Sequence, residues 1–244
     1  MGFSTSSVSS STEPTRLVLL PGLDGTGELF APLLDVLGGV IPTSVVRYEP
    51  ERSFDDYVRT AAKALSPQNT VLVAESFSGP VALALCARYP ENITGLVLCA
   101  TFAQSPFRSL LRLSPFAPSA LLGPSPIQPL VLRRACLNGE RDSRLLERAV
   151  SVLRSVPVST MHARLCTLAT IDVRSLVPSV RVPVLYLRAT RDRVVRRRLG
   201  RALTDKLSNV FVQEIDGPHL LLQARPRECA DAIMRFLAAS HPTS

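Results

Sequence analysis

Short apolar runs recur along the chain, at residues 16–20, 45–48, 71–73, 93–99, 182–187 and 210–215. A run such as Leu17-Val18-Leu19-Leu20, with no polar alternation, suits a strand covered on both faces, as in a parallel sheet. Between the runs lie amphipathic or small-residue stretches of helical length, at 28–37, 54–65, 81–89, 194–207 and 226–239. Ser53 is placed to cap the second of these. Asp55 and Asp56 fall in its first turn, where negative charge meets the positive end of the helix dipole. Alternating strands and helices predict an α/β fold: a mostly parallel central sheet of about six strands flanked by helices.

The rhythm breaks after residue 101. Residues 102–130 are dense in proline, serine and leucine, too choppy for strands, and two helices are expected after them, over 142–156 and 158–169. The pattern divides the chain into a core, residues 14–101 and 179–244, and an inserted helical cap, residues 102–178, over one edge of the sheet. Residues 1–13, rich in serine and threonine, read as a disordered lead-in without the basic start or apolar centre of a secretory signal.

The 244 residues suffice for one sizeable core. Five scattered cysteines with no C-x-x-C pair argue for reduced thiols, and against a disulfide frame or zinc site. Three dispersed histidines argue against a metal cluster, and no apolar run approaches the roughly 20 residues of a membrane span. The expectation is a cytoplasmic protein with no metal, no cofactor and no stable membrane insertion. A net charge of +8 brings an anionic partner into consideration. With 5% aromatic residues, no tryptophan and no RNA-binding or zinc-finger pattern, nucleic acid is set aside. Oligomeric state is not legible.

In an open parallel sheet, reactive groups gather beyond the carboxyl ends of the strands. Beyond 71–73 comes Ala74-Glu75-Ser76-Phe77-Ser78-Gly79, a small-x-Ser-x-small turn that would expose the serine hydroxyl at its apex. Ala74 and Ser78 stand where such turns usually carry glycine, small but with less backbone freedom. Beyond 182–187 comes Arg191-Asp192-Arg193, and beyond 210–215 comes Asp216-Gly217-Pro218-His219. Each motif alone also fits a turn without chemistry. Together they set a serine, an acid and a histidine at three strand ends. Ser76 would attack, His219 would take and return its proton, and Asp192 would hold the imidazole. His162 reads as structural and His241 lies in the tail. Asp216 is too close in sequence to His219 to reach its far side, and Asp172 stays open as an alternative acid. The oxyanion would meet the N–H of Phe77 and that of Leu23, in the loop Pro21-Gly22-Leu23-Asp24-Gly25. Asp24 is expected to bond its own loop. Gly22, Asp24, Phe102, Leu110, Phe116 and Leu220 are the expected substrate contacts.

Residues 20–27, 74–79, 190–195 and 216–220 together resemble the α/β-hydrolase superfamily, from Leu17 to about Leu237. Two departures stand out: Pro21-Gly22 replaces the usual His-Gly, and Ala74-Glu75-Ser76-Phe77-Ser78-Gly79 replaces Gly-His-Ser-Met-Gly-Gly. The antiparallel strands that often precede the first parallel strand are not expected. A serine at the elbow, where epoxide hydrolases and haloalkane dehalogenases carry aspartate, implies acyl transfer to water by a carboxylesterase, thioesterase or lactonase. The first expectation is a serine esterase of small to medium acyl esters, working through an acyl-enzyme.

Arginines crowd two regions: 191, 193, 196, 197, 198 and 201 after the acid, and 108, 112, 133, 134, 141, 144 and 148 in the insertion. The insertion is similar to the helical cap of pimeloyl-carrier-protein methyl ester esterases. The alternative function is therefore a thioesterase or methyl esterase whose anionic acyl carrier or CoA portion meets these arginines. A merely solvated basic face competes with it. A non-catalytic ligand-binding homologue is the third reading, and the intact serine, acid and histidine argue against it.

Overall fold

The computed structural model describes residues 15–51, 53–67, 69–106 and 128–240. The apolar runs form one sheet: β1 (Arg16–Leu20), β2 (Thr43–Val45), β3 (Thr70–Glu75), β4 (Ile93–Cys99), β5 (Val184–Ala189) and β6 (Val210–Ile215), in the order β2-β1-β3-β4-β5-β6. All neighbouring strands are parallel. The helices are α1 (Ala31–Leu37), α2 (Phe54–Ala62), α3 (Ser78–Arg88), α4 (Gln128–Ala135), α5 (Ser143–Ser155), α6 (Val158–Thr170), α7 (Arg197–Thr204), α8 (Leu221–Ala224) and α9 (Pro226–Ser240).

Continuous apolar runs are needed because both faces of the sheet are covered. Val18, Leu20, Leu72, Leu96, Leu98 and Tyr186 point to one side, against Tyr57 and Val58 of α2 and Val81 and Leu85 of α3. Leu17, Leu19, Val71, Val73, Val97 and Leu187 point to the other, against Phe30 and Leu33 near the first loop and Ile233 and Phe236 of α9. β6 departs from this pattern. It is the edge strand, and Phe211 on it is 60% exposed.

Among the departures from expectation, four have a visible cause. β2 starts at Thr43 and ends at Val45, because residues 43–45 pair with 17–19 and the chain then turns so that the Tyr48 N–H donates to the Gly25 carbonyl. The helix expected at 28–37 begins as a 3-10 turn, Glu28–Phe30, before α1. α4 was not expected at all. Its Pro129 reads as a breaker but sits in the first helical turn, where its missing N–H costs nothing. α7 begins at Arg197 and not at 194, because the N–H groups of Val194 and Val195 are bonded to Asp192 Oδ1, both at 2.8 Å. The expected lead-in, 1–13, and the expected contacts Leu110 and Phe116 lie outside the described residues.

β1 connects to β2 on one side while β3 lies on its other side. Open sheets take their ligands at such a reversal, beyond the carboxyl ends of the two strands. The loop after β1 and the turn after β3 meet there. Among the described residues no helix is long and apolar enough to cross a membrane, and no group of side chains is arranged to hold a metal ion.

Candidate active site

Ser76 sits at the apex of the β3–α3 turn with φ 48°, a left-handed conformation that a non-glycine residue adopts only under local constraint. The constraint is visible on both sides. The Ser76 N–H donates to the Cys99 carbonyl at 3.0 Å, and the Thr101 hydroxyl donates to the Ser76 carbonyl. Gly79 leaves the space this requires, since a methyl group there would overlap the Thr101 side chain. The serine hydroxyl lies 2.9 Å from His219 Nε2, and His219 Nδ1 lies 2.9 Å from Asp192 Oδ2. Ser76 thus shares one hydrogen-bonded line with two residues more than a hundred positions further along the chain.

The histidine and aspartate side chains are 6% and 5% exposed. Burial disfavours the imidazolium, but the charge and hydrogen bond of Asp192, with a smaller contribution from Glu75, more than offset it. The His219 pKa is raised. Asp192 is held in place by the Val194 and Val195 N–H groups on its second oxygen. The alternative acids are engaged elsewhere: Asp172 with Arg174 at 2.8 Å, and Asp216 with Thr190 at 2.8 Å and Arg191 at 3.1 Å.

A family model for serine aminopeptidase, S33, matches residues 51–218, more than half of the chain. The chain belongs to the S33 family of α/β hydrolases. Solved structures share its fold. An enol-lactonase from Burkholderia xenovorans LB400 is 18% identical, with 92% of each chain covered and a TM-score of 0.76. A thermophilic esterase from Thermogutta terrifontis is 18% identical, with 93% of this chain and 90% of that one covered and a TM-score of 0.73. A bromoperoxidase from Bacillus anthracis is 16% identical, with 92% of each chain covered and a TM-score of 0.75. No curated protein matches the sequence.

The serine of this hydrolase opens into an apolar cavity of about 370 Å³. Gly22, Leu23, Asp24, Phe77, Phe102 and Leu220 all line it. The N–H groups of Leu23 and Phe77 donate to no protein group among the described residues, leaving both available to a ligand. Asp24 turns back on its own loop, with Oδ2 accepting from the Thr26 N–H at 2.9 Å and the Thr26 hydroxyl at 2.7 Å. Leu132 of α4, Leu153 of α5 and Leu165 of α6 close the cavity from the inserted segment.

Three contributors have no role assigned from the sequence. The Ser78 hydroxyl donates to the Pro21 carbonyl and meets the Tyr48 hydroxyl at 2.8 Å, joining the serine turn to the first loop. Its replacement of the usual glycine was the available signal. Arg164 is buried, and its guanidinium donates to the carbonyls of Leu23, Asp24 and Tyr48. Nothing in its helix marks it. Glu75, 3% exposed, lines the cavity beside the serine and accepts from Gln223 Nε2 at 3.1 Å. Burial, with the Asp24 charge adding, pushes the Glu75 carboxyl up to about 7.

Proposed function

We propose that this hydrolase cleaves carboxylic esters of small to medium acyl chains, through an acyl-enzyme on Ser76. The observation that carries the reading is the Ser76–His219–Asp192 line ending in an apolar cavity. Ser76 Oγ attacks the carbonyl carbon as its proton passes to His219 Nε2. Asp192 Oδ2 accepts from Nδ1–H, which fixes the tautomer and stabilises the imidazolium. The oxyanion accepts from the N–H groups of Leu23 and Phe77, each donor of this kind contributing about 2.7–4 kcal/mol to catalysis. On collapse, the imidazolium returns its proton to the leaving alkoxide, and water then repeats the sequence on the acyl-enzyme.

The cavity's polarity favours ester over aminopeptidase substrates. A free amino terminus calls for an ionised partner free to turn toward it; Asp24 has its Oδ2 taken up by Thr26, and burial with the Asp24 charge holds Glu75 protonated up to about neutral pH. An apolar acyl chain fits the lining of leucines and Phe102. Helices α4, α5 and α6 serve in this reading as a cap that keeps water from the acyl group.

The test is a p-nitrophenyl ester series of increasing acyl length, run beside an aminoacyl p-nitroanilide, with Ser76→Ala as control. Turnover of the esters is expected to reach an optimum at a short or middle chain length and to vanish in Ser76→Ala. Faster cleavage of the anilide than of every ester, or an active Ser76→Ala enzyme, would overturn the reading.

A further inference from the structure

A second recess, of about 530 Å³, backs onto the apolar cavity across α4. Arg133, Arg134, Arg141 and Arg193 line it, together with Leu130 and Glu140. Leu130, Arg133 and Arg134 fall at i, i+3 and i+4 and so share one stripe of α4, while Leu132 and Ala135 face the cavity. The β5–α7 loop divides in the same way, with Val194 in the cavity and Arg193 in the recess.

The walls are held in place. Asn138 Nδ2 donates to the Arg191 carbonyl at 3.2 Å, and Arg191 Nη1 returns a bond to the Asn138 carbonyl at 3.1 Å. Glu140, the carboxylate in the lining, is already paired with Arg225 at 2.8 Å. The guanidinium groups of Arg133, Arg134, Arg141 and Arg193 have no acidic partner among the described residues. Ordinary surface arginines are scattered among carboxylates. Here four uncompensated ones surround a concavity, which focuses positive potential inside it.

We propose that this recess is a subsite for phosphate on the leaving-group side of the substrate. The substrate is then an acyl ester or thioester whose alcohol or thiol portion carries phosphate on a flexible arm. This rests on the ester-hydrolase reading of the adjoining cavity. Guanidinium forks match phosphate oxygens in pairs, and several arginines suit a group with more than one negative charge. The acyl chain belongs in the apolar cavity, so the polar portion must leave it past α4. A helix is about 10 Å across with its side chains, which sets the minimum length of the arm. Leu130, 59% exposed, offers that arm an apolar contact.

The probes are hexanoyl-CoA and hexanoyl-pantetheine, which share a thioester and differ in phosphate. The CoA thioester is expected to show kcat/KM about tenfold or more above the pantetheine thioester at low salt, as one or two charge-assisted bonds would give. At about 0.5 M salt the gap should close. The double variant Arg133→Gln/Arg134→Gln should raise KM for hexanoyl-CoA alone, and Arg133→Lys/Arg134→Lys should restore part of the gap. Equal wild-type rates on the two thioesters, or a variant that slows both alike, overturns the subsite. Calorimetric binding of CoA to Ser76→Ala separates the two readings. If CoA binds and loses affinity in the glutamine variant while no ester is hydrolysed, the ester reading falls and the recess stands. If esters are hydrolysed and CoA does not bind, the recess falls alone.

Discussion

The Arg164 guanidinium, carried by α6, donates to the backbone carbonyl of Asp24 in the loop after β1. With further bonds to the Leu23 and Tyr48 carbonyls, it fastens the inserted segment to Leu23, the proposed oxyanion donor. Replacing it by methionine keeps most of the apolar stem and strands the buried Asp24 and Tyr48 carbonyls, each costing about 1–3 kcal/mol, and the part-buried one of Leu23. Arg164→Met is therefore expected to lower stability by several kcal/mol in urea unfolding. It should also lower kcat on a neutral ester about 10–100-fold with little change in KM, since a displaced oxyanion donor acts on the transition state. Arg164→Lys should recover part of the stability and less of the rate, because an ammonium cannot reach three carbonyls in a fork. An unchanged kcat in Arg164→Met would leave the residue a purely structural role.

Ser78 makes the complementary link. Its hydroxyl is buried between the Pro21 carbonyl and the Tyr48 hydroxyl, so Ser78→Ala leaves both without a partner among the described residues. The expected loss is about 1–3 kcal/mol of unfolding free energy. Ser78→Gly, the residue usual in this turn, should do no better and lose slightly more through the flexibility of glycine in a helix. A glycine variant more stable than wild type would show that the hydroxyl contributes nothing.

The line from Ser76 to His219 and Asp192 could be anticipated because it depends on topology: strand ends of a parallel sheet point one way, and the motifs punctuate those ends. The same logic located the sheet, and β4 falls on residues 93–99 as expected. What escaped depends on contacts between distant side chains. Arg164 is one of many arginines in the sequence and looks like its solvated neighbours until α6 is folded over the first loop. α4 escaped because prolines that stop a helix also start one, and only the packed segment tells which. The apolar run at 210–215 reads as a covered strand, but the edge position of β6 leaves Phe211 exposed.

Glu75 makes stability depend on pH in an unusual direction. Its Oε1 is buried without a hydrogen-bond partner among the described residues, and burial together with Asp24 raises its pKa from 4.5 to about 7. The folded protein therefore keeps a proton that the unfolded chain gives up. The stability this contributes is complete below about pH 4.5 and is lost as pH rises through 7, a change on the order of 3 kcal/mol. Glu75→Gln keeps the shape and the bond to Gln223 without the charge. Urea unfolding of both proteins between about pH 5 and 8 should show the variant gaining on the wild type as pH rises. A constant difference would mean that the carboxyl stays ionised, or is solvated, throughout.

His219 must be neutral to take the proton of Ser76, so activity should fall as the pH is lowered through its pKa. Burial alone would place that fall below the ordinary histidine value, but the Asp192 carboxylate reverses the shift. The acid limb of kcat/KM on a neutral ester is accordingly expected above about 6.5, the unperturbed histidine value. Asp192→Asn removes the raising charge and should move the limb below that value, with a rate loss of about 10³–10⁴-fold, since the imidazole then loses its orienting acceptor. Glu75, raised to about 7, favours the imidazolium when ionised, so the wild-type limb belongs to two coupled groups. Glu75→Gln should leave a simple one-proton limb displaced to lower pH, with the maximal rate largely preserved. A limb unmoved by both substitutions would mean that a group other than His219 accepts the proton.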